Sequence, residues 1–236
     1  MVRQSQASFL LTRPLAQSQR FAHGLIGDVV ISPLMEPEFL RPDIAQKPYA
    51  AMIFTSETGV LAAAGLRVSL PKRAFCVGKR TALAAAAQGW QAVSADGNAA
   101  DLAALILAQN LKGPLLLLQA QEAATSLRDA LISAGLEPVL AQIYRQRPLP
   151  LTPQAVALLQ GTAPVLLPLF SPRSAKLFCA EYRRIAGSAP VFVAAISLAV
   201  LAELDIPAQG VAVAQQPDAA SLRQALAQVT QQALGS

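Results

Sequence analysis

Aromatic side chains make up only 5% of this chain and charged ones only 14%. Histidine occurs once, as His23, and cysteine twice, as Cys76 and Cys179. A single histidine leaves no good candidate for a Ser-His-Asp triad. No Cys/His cluster offers zinc ligands, so no metal is expected. The two cysteines match no disulfide or metal spacing and lie in apolar surroundings, so both read as buried thiols in a reducing compartment. Neither Gly-x-Gly-x-x-Gly nor Gly-x-x-x-x-Gly-Lys-Ser/Thr occurs, which removes the usual dinucleotide and phosphate loops. The longest uncharged apolar stretch, Ala189 to Ala202, is shorter than the roughly 20 residues that span a bilayer. The residues around Arg3 lack signal-peptide anatomy. A soluble, cytoplasmic protein with no membrane partner is the expectation.

What is present is a generous core. Of 236 residues 53% are hydrophobic, enough for one large domain or two small ones, and such a composition argues against disorder. The net charge is +5, but the basic residues are dispersed, with no Lys/Arg run. They lack the aromatic interleaving of a stacking platform, so nucleic acid is not an expected partner. A mild positive field suits a small polyanion instead.

Along the chain, short apolar runs alternate with Ala-rich helical patterns. Ser8 to Leu11 reads as a strand, followed by a helix from Pro14 to about His23, closed by Gly24 and Gly27. Asp28 to Ile31 is a second strand. Ser32 to Pro48, with four prolines, has connector composition. Strands follow at Ala50–Phe54, Ala74–Val77, Gln91–Ser94, Leu115–Leu118 and Pro138–Tyr144. Helices lie between them at Glu57–Ala64, Arg80–Gln88, Ala99–Gln109 and Ala123–Ala134, giving a five-strand unit. Arg145 to Pro153 reads as a second connector. A short helix at Gln154–Gln160, a strand at Val165–Phe170 and a helix at Ala175–Ala186 come next. Strands at Val191–Ile196 and Gly210–Ala214 and a helix at Ala219–Ala233 complete the pattern. Pro168 is awkward inside a buried strand, because it has no N–H to donate.

Strands alternating with helices imply parallel sheets covered on both faces. The pattern also repeats about half a chain later. Ser56 corresponds to Ser171, Gly78 to Ser197, and Ala99–Leu102 to Ala219–Leu222. Leu10-Leu11 with its helix corresponds more weakly to Leu116-Leu117 with its helix. Small and large halves therefore alternate, with Pro-rich connectors after each small half. Either each small half packs with an adjacent large half, or the first small half crosses to the last large half. In such sheets ligands dock at the turns after the strands. These turns carry Thr12 and Arg13, Thr55 and Ser56, Gly78, Lys79, Arg80 and Thr81, Ser171 and Arg173, and Ser197.

These residues, in order, resemble the uroporphyrinogen-III synthase family over nearly the whole chain. The motifs are Leu11-Thr12-Arg13-Pro14; Ile53 to Ser56 extended by Gly59-Val60; Val77, Gly78, Thr81 and Ala82; Gly97-Asn98-Ala99; Ile143-Tyr144; Phe170-Ser171-Pro172; and Ala195-Ile196-Ser197. The chain departs from the family's pattern at Ala199-Val200 and at Gln119-Ala120-Gln121. The resemblance implies an α/β fold of two flavodoxin-like parallel-sheet lobes joined by a two-stranded linker, which selects the crossing arrangement. Residues 1–34 and 152–236 then form lobe 1, 47–139 lobe 2, and 35–46 and 140–151 the paired linkers. It further implies a monomer without a cofactor, acting on hydroxymethylbilane. This linear tetrapyrrole is closed to uroporphyrinogen III with inversion of ring D and loss of water. A non-catalytic two-lobe binding module on the same fold is the rival reading, since fold does not entail function.

The expected chemistry needs orientation more than a strong nucleophile. The substrate carries eight carboxylates and closes unaided to the wrong isomer. Helix N-termini offer N–H groups and a favourable dipole for carboxylates. On that reading Thr12, Arg13, Thr55, Ser56, Gly78, Lys79, Arg80, Thr81, Asn98, Ser171, Arg173 and Ser197 hold the substrate, although plain helix capping explains several equally well. Tyr144 is the candidate for assisting departure of the hydroxyl, because a phenol is protonated at neutral pH and can donate.

Overall fold

The computed structural model describes residues 7–123 and 125–235. Arg3 and Ala124, which enter the sequence reading, lie outside them. In chain order the elements are β1 (Ser8–Leu11), α1 (Leu15–Ala22), β2 (Val29–Ile31), β3 (Met35–Phe39), β4 (Ala51–Phe54), α2 (Glu57–Ala64), β5 (Arg73–Cys76), α3 (Lys79–Ala87), β6 (Gln91–Ser94) and α4 (Ala99–Leu107). Then come β7 (Leu115–Ala120), α5 (Ser126–Ser133), β8 (Pro138–Pro148), α6 (Pro153–Leu159), β9 (Val165–Leu169), α7 (Pro172–Arg184), β10 (Val191–Ala195), α8 (Leu198–Leu201), β11 (Gly210–Val213) and α9 (Ala219–Gly235).

The chain divides into two compact units, Pro37–Gln146 and Met1–Glu36 with Arg147–Ser236. In the first, the sheet runs β3-β8-β7-β4-β5-β6, and the five strands from β4 to β8 pair in parallel. Alternation along β4 sends Met52 and Phe54 to one face, under Val60 and Ala63 of α2 and Ala85 of α3. Ala51 and Ile53 go to the other face, under Leu102 and Ile106 of α4 and Leu131 of α5. A strand buried on both faces must be apolar throughout, as β4 and β7 are.

In the second unit the order is β11-β10-β9-β1-β2, all parallel. β9, β10, β11, β1 and β2 occupy here the positions that β4, β5, β6, β7 and β8 hold in the first sheet. The internal repeat is thus a permuted copy, completed by the first strands of the chain. Both sheets reverse strand order at one place, between β4 and β7 and between β9 and β1.

Several expectations change. The connector Ser32–Pro48 contains a strand, β3, and β8 runs on to Pro148 instead of stopping at Tyr144, so the first sheet has six strands, not five. Leu40 N–H donates to Ile143 O and Leu149 N–H to Leu34 O, an antiparallel register. Pro37 is tolerated because β3 is an edge strand. Pro14 stands just before α1 rather than in its first turn. α7 begins at Pro172, earlier than expected, because Ser171 and Ser174 form a capping box ahead of it.

Pro168 also finds its explanation. Val165 N–H donates to Pro190 O, and Leu169 O accepts from Ile196, so the odd residues of β9 turn their backbone towards β10. Pro168 therefore faces β1, whose ladder on β9 has already ended at Leu166. The missing N–H thus falls where the β1–β9 pairing stops.

Candidate active site

Every residue singled out at a turn lies beyond the C-terminal end of a parallel strand. In Pro37–Gln146 these are Thr55 and Ser56 after β4, Gly78 to Thr81 after β5, and Asn98 after β6. In the other unit they are Thr12 and Arg13 after β1, Ser171 and Arg173 after β9, and Ser197 after β10. The point of strand-order reversal, where open α/β sheets take their ligands, is flanked by Ser56 in the first unit and by Thr12 and Ser171 in the second.

In the first unit one of these residues, Ser56, meets Tyr144 of β8. The hydroxyls of Ser56 and Tyr144 lie 2.8 Å apart, a hydrogen bond between positions 88 residues apart. Ser56 is fixed because it is extended, with φ −152° and ψ 153°, and caps α2 by accepting from Gly59 N–H at 3.0 Å. Tyr144 is fixed by an irregularity in β8. Gln119 pairs with Gln142, but Ala120 pairs with Tyr144, so the register shifts by one residue. Strict alternation would send Tyr144 away from Ile143. The bulge instead turns both into the core that also holds Ala141 and Phe54. Gln121 N–H closes the arrangement by donating to Tyr144 O at 2.8 Å.

Burial raises the Tyr144 pKa above the ordinary phenol value, the Ser56 hydrogen bond pulls it back, and the charge of Glu122 adds to the rise. The phenol is therefore protonated at neutral pH and keeps a proton to donate. Glu122 itself accepts from Gln146 N–H, which anchors it beside β8.

Two cations at these turns are paired. Lys79 Nζ lies 3.2 Å from Asp96, and Arg80 Nε lies 3.6 Å from Glu57. The Ser94 hydroxyl first, and Lys79 second, hold the Asp96 carboxyl below the usual carboxylate range. Sequence reading missed Glu57 and Asp96 as their partners; Glu57 opens α2 beside Ser56 and Asp96 lies in the turn before Asn98, so each acid shares a strand end with a singled-out residue but is remote in sequence from its cation. No side chain caps α3, since its N-cap is Gly78, and Thr81 is buried in its first turn. Asn98 and Ser171 behave otherwise. Each caps its own helix, Asn98 through Ala100 and Asp101 N–H and Ser171 through Ser174 N–H. Ser197 precedes α8 and makes no side-chain cap.

In the other unit Thr12 is buried, and its carbonyl accepts from Leu34 N–H. The Arg13 guanidinium lies 4.0 Å from the centre of the Phe170 ring, a cation–π contact that ties the end of β1 to the end of β9. His23 is exposed just after α1. Among the described residues no group of His, Cys, Asp and Glu could hold a metal ion, and no helix is long and apolar enough to cross a membrane.

A family model described as uroporphyrinogen-III synthase HemD matches residues 21–224. The chain belongs to the uroporphyrinogen-III synthase family. Members are cyclising lyases of tetrapyrrole biosynthesis. Among solved structures, the uroporphyrinogen-III synthetase of Helicobacter pylori 26695 is 18% identical, with 93% of this chain and 97% of that chain covered and a TM-score of 0.64. A mutant uroporphyrinogen III synthase from the extremely thermophilic bacterium Thermus thermophilus is 17% identical, covering 96% of this chain and 99% of that chain, with a TM-score of 0.49. The first of these shows a shared fold. No curated protein matches the chain. Within the uroporphyrinogen-III synthase frame, the departure at Gln119-Ala120-Gln121 coincides with the bulge beside Tyr144, and Gln119 is buried there. At the other departure Val200 is buried in the core of its unit, so a side chain there packs rather than faces solvent.

Proposed function

We propose that this chain closes hydroxymethylbilane to uroporphyrinogen III, with Tyr144 donating to the hydroxyl that leaves as water. The observation that carries the proposal is the Ser56–Tyr144 contact beside the strand-order reversal, where a protonated phenol stands among donors suited to carboxylates. Gly78, Lys79, Arg80 and Thr81 hold carboxylates of the substrate at the open N-terminus of α3, and Thr55 and Asn98 lie on the same end of that sheet. Thr12, Arg13, Ser171, Arg173 and Ser197 are the further candidates for carboxylate contact, at the strand ends of their own sheet. A flexible polyanion held by many weak donors has its reacting carbons oriented, and orientation is the larger part of what this reaction needs. The protein acts as a cytoplasmic monomer without cofactor, nucleic acid or membrane partner. Residues 1–34 with 152–236 and residues 47–139 form its two lobes, with 35–46 and 140–151 as linkers.

Incubation with freshly generated hydroxymethylbilane, followed by separation of isomers I and III, tests this. Isomer III in excess is the expected result. Isomer I alone, formed at the uncatalysed rate, would leave only a binding module.

A further inference from the structure

Two hydroxyl groups that share one hydrogen bond have one proton left over. Ser56 and Tyr144 are such a pair, and the surroundings limit what that proton can do. One lone pair of Ser56 Oγ is taken by Gly59 N–H at 3.0 Å. If Tyr144 donates to Ser56, both serine lone pairs are filled and the serine proton turns outward. If Ser56 donates to Tyr144, the phenol proton turns outward. Either way the pair presents one donor, and both oxygens are held at 2.8 Å by a helix N-cap on one side and a bulged strand on the other.

We infer that Ser56 is a positioning residue which makes Tyr144 the outward donor and then steadies the phenolate, rather than a ligand of a substrate carboxylate. The inference rests on the synthase reading above. As the C–O bond of the hydroxymethyl group breaks, its electron pair stays with oxygen, the pyrrole nitrogen supplies electrons to the carbon, and the oxygen takes the Tyr144 proton and leaves as water. Ser56 then donates to the phenolate oxygen while remaining the cap of α2. The proton returns to Tyr144 from the pyrrole carbon that loses hydrogen when the closed ring regains aromaticity. One water leaves, and the pair ends as it began.

The proton count gives a graded test in full-length protein. Ser56→Thr keeps both the cap and the hydroxyl proton, and it retains kcat to within about threefold. Ser56→Asp keeps the cap, because aspartate is as good an N-cap as serine, but it brings no proton. Tyr144 then donates inward to the carboxylate and nothing turns outward, so kcat falls on the order of 100-fold, the scale of a lost general acid, with KM changed little. Ser56→Ala falls between the two. Thermal unfolding of the Asp variant, unchanged within a few degrees, separates this loss from misfolding. A rise in KM at unchanged kcat for the Ala and Asp variants would overturn the inference and return Ser56 to carboxylate binding. So would an Asp variant as fast as the parent. Failure of the synthase reading is distinct, because the parent protein itself would then yield no isomer III.

Discussion

Tyr144 could be picked out from the order of motifs, but its environment could not. Burial at 5% exposure, the Ser56 hydroxyl and Glu122 all act on the phenol from segments remote in sequence. Tyr144→Phe should lower kcat on the order of 100-fold with KM within about twofold, since the phenol is used in the transition state more than in binding. Because its pKa is raised above the ordinary phenol value of about 10, the donor form persists through neutral and mildly alkaline pH, and kcat falls only above that range. A pH profile of the Phe variant should lose this alkaline limb, and an identical limb would assign it to another group. A second residue has a pH signature in stability. Burial pushes the Cys76 thiol from 9.0 up to about 12. The folded chain holds that proton more tightly than the unfolded chain does, so the stability it contributes is complete below pH 9 and is lost as pH rises towards 12. Urea denaturation at stepped pH should show a steeper decline for the parent than for Cys76→Ala. Cys179, Tyr144 and Tyr182 shift the same way, so the slope is reduced and not abolished.

At the scale of elements, periodicity and turn residues located most strands and helices to within a few positions. The short helix α8 and the starts of α1 and α7 escaped them, and the two missed strand segments share one cause. β3 and the second half of β8 lie in Pro-rich sequence that reads as connector, and they become strands only because each supplies a partner for the other. Their side chains carry the same logic: Arg145 meets Glu38 through two hydrogen bonds of 2.9 Å, and Arg147 meets Glu36. Exposed pairs of this kind add little stability but favour one register. Close packing at an element boundary is more decisive. A Cβ on Gly187 would lie 2.5 Å from Tyr182 Cε2, and that ring is held in place by its hydroxyl, which donates to Ala189 O at 3.2 Å. Gly187→Ala should therefore cost about 1–3 kcal/mol, the usual scale of overpacking. Urea denaturation would read it as a lower midpoint at unchanged slope, and an unchanged midpoint would mean that the Tyr182 ring moves freely.

For the whole molecule, the relevant quantities are charge and permutation. The net charge of +5 is spread thinly, and Lys79 and Arg80 are exposed and already paired with acids. Attraction for a substrate with eight carboxylates then comes from a diffuse field and open helix ends, and salt screens such a field. KM should rise several-fold between about 50 and 500 mM salt, where the Debye length falls to a few ångströms, while kcat changes less. A salt-independent KM would point to buried, directional contacts instead. Permutation explains why the repeat was only partly legible. The strong echoes join β4, β5 and β6 to β9, β10 and β11, whereas β7 and β8 find their counterparts at the start of the chain, in β1 and β2.

The sequence by itself determined where most strands and helices lie, which turns end them, and the order of motifs that marks the family, because alternation, helical period and turn chemistry are local properties of a few successive residues. Tertiary structure decided what is not local. It paired β3 with β8, aligned Pro168 with the end of a ladder, and set Lys79 and Arg80 against Asp96 and Glu57. Above all it shifted β8 by one residue at Tyr144. In a strand the face a side chain occupies depends on pairing with a neighbour, so a single bulge reverses what alternation alone would say. That reversal is what brings Tyr144 to Ser56.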